Sequence, residues 1–383
     1  MNLDLFKEGA YGCVFRPGMN CLGKKENSKF ITKIQLDKET SDNEIAIGRF
    51  IENVVKKDVP SYEYMFAPII SSCELSLGKI KNETIQKCEI IRKNNDATNK
   101  FISNKIRYVG KYTLEPFLKK EIEINPITFY KHFFQGHLYL LNSLHILSNY
   151  NIIHYDLKQN NISMDDNKLI PVIIDFGLSF RIDDLNADLD YEKYFYIYYD
   201  KYPPWCLEIN LISFIVNKFK NIQELHDYIR QNTKIKDKNT NKKKTGGKIK
   251  TGDKIKTGDW KTTIIDSRHL IDIVKHYFKH NYVIIALTKI NKKDVLKAKS
   301  KWIDFISNEL HNKTGEYIVQ FLMKSWKSWD NYSLCVIYFF LSHSFFPNNH
   351  KDYQTILIDN ILAIPLNRDE SINTATKIND YIL

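Results

Sequence analysis

The sequence predicts an α+β protein with a small β-rich lobe followed by a large helical lobe that carries an insertion. Two observations predict it: the apolar period changes along the chain, and one long, lysine-dense stretch interrupts the second half. Residues 1–105 read as short strands with one helix, because β-branched and aromatic runs such as Cys13-Val14-Phe15, Phe30–Ile34 and Met65–Ile70 are cut by Gly, Pro and Asn clusters. From Phe129 to Tyr150 the pattern changes. Phe133, Phe134, Leu138, Leu141, Leu144 and Leu147 recur at three- and four-residue spacings, which predicts a buried helix. The same period marks helices at 207–229, 267–281, 292–311, 314–328, 330–342 and 353–362. The expected division is 1–106 for the first lobe, 107–208 and 329–383 for the second, and 209–328 for the insertion.

With 383 residues, 43% of them apolar and 26% charged, the composition is that of a folded protein with room for more than one lobe. The most apolar stretches, such as Leu334 to Leu341, fall short of the ~18–20 residues that a membrane span needs. No basic segment followed by an apolar one opens the sequence, so we expect a soluble intracellular protein with no membrane partner. Six cysteines (Cys13, Cys21, Cys73, Cys88, Cys206, Cys335) form no Cys-x-x-Cys pair. That spacing argues against a zinc site and a disulfide framework, and the thiols are expected to be reduced and packed.

The net charge of +11 is concentrated in one place. Between Arg230 and Lys261 twelve Lys or Arg stand against three Asp, a net +9, which leaves +2 for the rest of the chain. This window contains a degenerate repeat, Thr245-Gly-Gly-Lys-Ile-Lys, Thr251-Gly-Asp-Lys-Ile-Lys and Thr257-Gly-Asp-Trp, with too few apolar groups to offset the entropy of ordering. Residues 231–261 are therefore expected to form a disordered basic loop. Its partner, if it has one, is an acidic protein or a nucleic acid.

Four separated pieces carry chemistry. Gly9 and Gly12, with Val14 behind them, suit a strand-turn-strand whose backbone approaches phosphates while Val14 covers a base, although an ordinary hairpin would look the same. In Phe30-Ile31-Thr32-Lys33 the strand period puts Ile31 and Lys33 on one face. Next comes His154-Tyr155-Asp156-Leu157-Lys158-Gln159-Asn160-Asn161, and after an apolar run Asp175-Phe176-Gly177. Two carboxylates, a lysine and an amide at these spacings can supply a base, a counter-charge for phosphate and magnesium ligands. Glu44 is the expected partner of Lys33, with Glu52 as the fallback, since Ser41-x-x-Glu44 also reads as a helix capping box.

In these motifs the sequence resembles the eukaryotic-type serine/threonine protein kinases over residues 5–208 and again over 329–383. The resemblance implies a bilobal kinase fold that binds ATP and Mg2+ and transfers phosphoryl groups to Ser or Thr of protein substrates. It makes Gly9, Gly12, Val14, Ile31, Lys33 and Glu44 the nucleotide-binding residues, with the adenine edge near Ile106 to Gly110. Asp156 and Lys158 become the catalytic pair, and Asn161 and Asp175 the metal ligands. Trp329-Asp330 looks like the family's buried helix start, while Glu208 and Arg368 look like its pair at the end of the activation segment. The chain departs from the family at Lys7, which stands for the first loop glycine, and at Tyr155, which stands for the arginine before the catalytic aspartate. A further departure is the 121-residue step from Glu208 to Trp329. Together with Tyr202-Pro-Pro-Trp205, that insertion makes the chain similar to kinases of large nucleocytoplasmic DNA viruses of amoebae and algae. Two other readings stay open: a small-molecule phosphotransferase of the aminoglycoside or choline type, and a non-catalytic tether that uses the basic loop.

Overall fold

In the computed structural model the described residues are 4–8, 12–22, 24–35, 38–75, 83, 87–94, 101–217, 219, 223–225, 227 and 259–383. Gly9 and residues 231–258 of the basic loop lie outside them. The described chain is mixed α+β, with a sheet-rich N-terminal region and a helical remainder. Among the described residues, no helix is long and apolar enough to cross a membrane.

The N-terminal sheet holds β1 (Asp4–Glu8), β2 (Gly12–Arg16), β3 (Phe30–Gln35), β5 (Ile69–Leu75) and β6 (Phe101–Arg107) in the antiparallel order β1-β2-β3-β6-β5. Its two faces carry different cores because side chains alternate along each strand. Cys13, Phe15 and Ile34 pack with Met19, Leu75, Cys88, Ile91 and Phe101 on one side. Ile102 and Ile106 pack with Ile45, Ala67, Ile69, Val109 and Val172 in a second core, against which Ile31 lies. Gly12 is fixed by close approach, since a Cβ there would lie 2.2 Å from the Ile34 carbonyl oxygen on the neighbouring strand.

The cysteine expectation is overturned. Cys13 is bonded to Cys88 and Cys21 to Cys73, while Cys206 and Cys335 are free and buried as expected. Folding brings the paired Cα atoms to 6.1 and 5.9 Å across 75 and 52 residues of sequence. Those separations lie within disulfide reach, and linear spacing gives no sign of them.

The chain divides into two compact units. The first comprises Met1–Ala187, Phe340–Asn349 and Glu370–Leu383. Within it the helix Pro126–Asn149 starts at Asn125, whose side chain accepts from the Ile127 and Thr128 amides, with Pro126 at its first position. Its buried Phe129 and Phe133 meet Phe345 and Phe346 in an aromatic cluster. After this helix come β7 (Ile152–Ile153), β8 (Ile162–Met164), β9 (Pro171–Ile174) and β10 (Phe180–Arg181). β9 pairs with β8 and, in parallel, with β4 (Phe66–Ala67), while β10 pairs with β7.

The second unit comprises Asp188–Phe339 and His350–Asp369. The helices of residues 259–328 share this unit with the 188–208 segment. The helices Ser267–His280, Tyr282–Ile290, Lys292–Glu309 and Gly315–Met323 are each opened by a side-chain cap, from Asp266, Asn281, Asn291 and Thr314 in turn. The single stretch expected over 314–328 ends instead at Met323, followed by a 3-10 turn over Trp326–Ser328. At the centre of the unit Arg368 Nη1 donates to Glu208 Oε1 at 2.5 Å, both side chains at most 1% exposed. Burial works against the guanidinium charge, but Glu208 outweighs it and holds the Arg368 pKa above its ordinary value. Removing one partner of such a pair strands a buried charge. Arg368→Met is expected to lower stability by about 3–5 kcal/mol, read as a shift in the urea midpoint, with the Arg368→Met/Glu208→Met double variant recovering part of the loss. Equal loss in the single and double variants would show that the pair does not govern this core.

Candidate active site

The first compact unit brings six of the sequence-predicted polar residues into two adjoining sets. Lys33 stands on β3, opposite Val14 of β2 and Asn104 of β6 in the strand register. Directly paired residues project to the same face, so Val14 and Lys33 share one side of the sheet. Lys33 Nζ donates to Glu44 Oε2 at 2.8 Å and to Asp175 Oδ1 at 3.0 Å. Glu44 comes from the helix Lys38–Phe50 and is 2% exposed. The structure thus brings Lys33 to Glu44. Glu52 instead accepts from the Tyr62 hydroxyl at 2.5 Å and pairs with Lys56 at 3.4 Å.

A buried polar chain holds Glu44 in place. Asn104 Nδ2 donates to Gln35 Oε1 and to Ser41 Oγ, and Gln35 Nε2 donates to Glu44 Oε2. Sequence reasoning missed Gln35 and Asn104. Both stand among other polar residues of their strands, Phe30–Gln35 and Phe101–Arg107, so the sequence did not set them apart, although a buried amide left unpaired there would be costly. Burial works against the Lys33 charge, but Glu44 and Asp175 outweigh it and raise the pKa above that of an ordinary lysine. For Asp175 burial again works against ionisation, and Lys33 outweighs it, keeping the carboxyl below its ordinary range.

The second set lies on the loop after β7. Lys158 Nζ donates to both Asp156 carboxylate oxygens, at 3.1 and 2.9 Å. Asn161 Nδ2 donates to Asp156 Oδ2 at 3.0 Å and to the Asp156 carbonyl at 2.9 Å. Asp156 and Asn161 are buried, while the Lys158 side chain is 40% exposed. Lys158 and His154 also bear electrostatically on Asp175, which relates the two sets. His154 is fully buried, placing Nε2 3.1 Å from the Ile174 carbonyl and its ring against Phe176.

Two residues here adopt left-handed backbone, with φ of 66° at both Tyr155 and Asp175. A non-glycine residue in that region stores about 1–3 kcal/mol, and such residues persist only where their surroundings over-determine them. Each precedes or carries a carboxylate of the site. Phe176 is buried against Phe66 and His154, and Tyr155 is buried edge-on against Phe180, so apolar packing secures both turns.

The two sets hold three carboxylates and an amide oxygen beside two ammonium groups. That set suits a hard divalent cation such as Mg2+, which takes few protein ligands, beside an anionic substrate. Ile31 and Ile106 are cross-strand partners, and Gly110 follows where a Cβ would come within 1.9 Å of the Met164 carbonyl oxygen. A cavity of about 370 Å3, lined by Phe30, Tyr62, Phe66, Ile70 and Arg107 among others, contains none of these polar residues. No protein-family model matches the chain, and no curated protein matches it.

Because Glu44 sustains the Lys33 charge, Glu44→Gln is expected to lower the lysine pKa and expose more free amine. Acylation of Lys33 at mildly alkaline pH should rise by roughly tenfold for each unit the pKa falls, as read by peptide mass spectrometry. Glu52→Gln should leave it unchanged. Equal labelling in both variants would remove Glu44 from its role.

Proposed function

We propose that the chain is an ATP-dependent protein kinase acting on serine or threonine hydroxyls. The observation that carries this reading is the double contact of Lys33 with Glu44 and Asp175, joined electrostatically to the Asp156, Lys158 and Asn161 set. Nothing in the packing of an ordinary sheet calls for a lysine nearly enclosed by two carboxylates on one face. Phosphoryl transfer does call for it, since its catalysis is mostly positioning and charge compensation.

Each residue then has a task that its contacts equip it for. Lys33, oriented by Glu44, would hold the α- and β-phosphates, and Val14 and Ile31 would enclose the adenine from the same face of the sheet. Asn161 and Asp175 would hold Mg2+, which neutralises phosphate charge when bound. Asp156 would orient the acceptor hydroxyl and take its proton as the new bond forms. Its carboxylate is already aligned by Asn161, which limits the rotation it must lose on binding. Lys158, half-exposed on Asp156, is placed to turn toward the transferring group and offset its charge. Gly12 permits close approach of β2 to β3.

The segment after Gly177 is ordered by contacts of its own. Asn43 Nδ2 donates to the Gly177 and Ser179 carbonyls, Ser179 Oγ donates to the His154 carbonyl, and β10 pairs with β7. Arg181 is claimed by Asp183 at 2.6 Å and Asp184 at 3.4 Å, with its guanidinium 4.0 Å from the Phe50 ring centre. Carboxylates of the chain thus occupy the arginine that a phosphate would otherwise recruit. Tyr155 adds no charge in need of one.

Two outcomes follow. Asp156→Asn and Asp175→Asn should each reduce phosphoryl transfer to protein and small-molecule acceptors by at least about a thousandfold, with Asp156→Asn still binding Mg-ATP. Turnover near the unmodified level in either variant would sink the kinase reading, and transfer to small alcohols alone would reassign the acceptor. Secondly, phosphatase-treated protein, verified unmodified by mass spectrometry, should keep its initial rate. A loss of tenfold or more (about 1.4 kcal/mol) that phosphate between Leu178 and Glu208 restores would show that modification is required.

A further inference from the structure

The strand that carries Gly12 and Val14 is fastened from behind. Cys13 lies between them, and strand alternation sends its side chain to the opposite face, where it is fully buried and bonded to the equally buried Cys88. Cys88 opens the short helix Glu89–Lys93, accepting from the Ile91 amide, and Glu8 of β1 accepts from the Glu89 amide at 2.9 Å. The second bond runs from Cys21, in the turn after β2, to Cys73 on β5, the far edge strand of the sheet. Among the described residues β1 pairs with β2 alone, and the residues of β1 are mostly exposed. Apolar burial of the β1–β2 hairpin is concentrated on β2, where Cys13 and Phe15 are fully buried, and the two bonds tie that strand and the turn after it to Cys88 and to β5.

We infer that the two disulfides form a two-step redox lock on this hairpin. The two bonds differ in access. Cys21 is exposed and Cys73 half-buried, whereas neither Cys13 nor Cys88 has accessible surface. A thiolate needs a path to sulfur, so a dithiol reductant reaches Cys21–Cys73 first. One thiolate of the reductant attacks Cys21 Sγ, and Cys73 leaves as a thiolate and takes a proton. The second thiol of the reductant then displaces Cys21, so two electrons and two protons pass to the protein and the reductant becomes a cyclic disulfide. Cys13–Cys88 opens only when the hairpin does, and its opening loosens β2 at Gly12 and Val14. The effect on nucleotide affinity rests on the functional reading above; the order of reduction does not.

The full chain tests both. Unfolded without reductant and alkylated, it should label two cysteines, Cys206 and Cys335. After brief treatment of the folded protein with dithiothreitol it should label four, gaining Cys21 and Cys73, and all six only after reduction in denaturant. Full reduction should lower the melting temperature by roughly 5–10 °C. Reduction of Cys13–Cys88, or Cys13→Ser/Cys88→Ser, should raise the ATP KM about tenfold and leave kcat within about twofold. Six labelled cysteines in air-oxidised protein, both bonds opening together, or an unchanged KM would each overturn the lock. If the double variant does not fold, reduced unmodified protein supplies the same comparison. Absence of ATP binding in every redox state would overturn the kinase reading and the affinity claim with it, while the thiol counts would still decide the lock.

Discussion

A lysine ammonium that has lost most of its water needs anions, and in this protein they come from far along the chain. Lys33 meets Glu44, 11 residues on, and Asp175, 142 residues on. To satisfy it, the helix Lys38–Phe50 must pack with Glu44 facing the sheet, and β9 must end where Asp175 can turn back. Three parts of the first unit are positioned by one desolvated charge. The Gln35, Asn104 and Ser41 chain follows from the same demand, because a carboxylate buried beside that lysine needs its remaining acceptor capacity met.

The strain at Asp175 belongs to this constraint. A strand continued past Ile174 in extended conformation would send Asp175 away from Lys33. The left-handed turn reverses it, and the buried Phe176 packed against Phe66 and His154 makes the turn worth its cost. At Tyr155 the same device precedes Asp156, with Phe180 as the apolar brace. Both carboxylates thus sit beside stiff, over-determined backbone, which keeps them in place when charges around them change.

Much of this was legible in the sequence because it is written in short-range pattern. The period change located the sheet and the long helix, and the Asp156–Asn161 and Asp175–Gly177 spacings marked both carboxylate loops. The caps Asn125 and Asp266 were not singled out, although each stands directly before a helix start. The failures share a different character. The cysteine pairs depend on strands brought together from 75 and 52 residues apart. Cysteine spacing carries no information about a pairing that antiparallel register and loop packing create. Tyr282–Ile290 was missed because Asn281, read as the end of one helix, also caps the next.

The second unit solves a comparable problem by a different route, and this gives the insertion a structural part to play. Glu208 and Arg368 form a buried pair at the end of the segment that begins after Asp175, and backbone carbonyls in its 200–205 stretch take partners from elsewhere in the unit. The helix Ser267–His280 and its boundary residue supply them. Tyr277 donates to the Trp205 carbonyl, Asn281 donates to the Asp200 carbonyl at 2.7 Å, and His276 sits 2.8 Å from the Asp200 carboxylate. From the other side Ser333 donates to the Pro204 carbonyl at 2.7 Å, and the Tyr277 and Tyr332 hydroxyls meet at 2.9 Å. Residues from the insertion and from the helix Trp329–Phe345 thus close around the 200–208 stretch as one hydrogen-bonded group. A segment held this way has its conformation fixed by the fold. That is the same economy seen at Arg181, where order comes from groups the chain already carries.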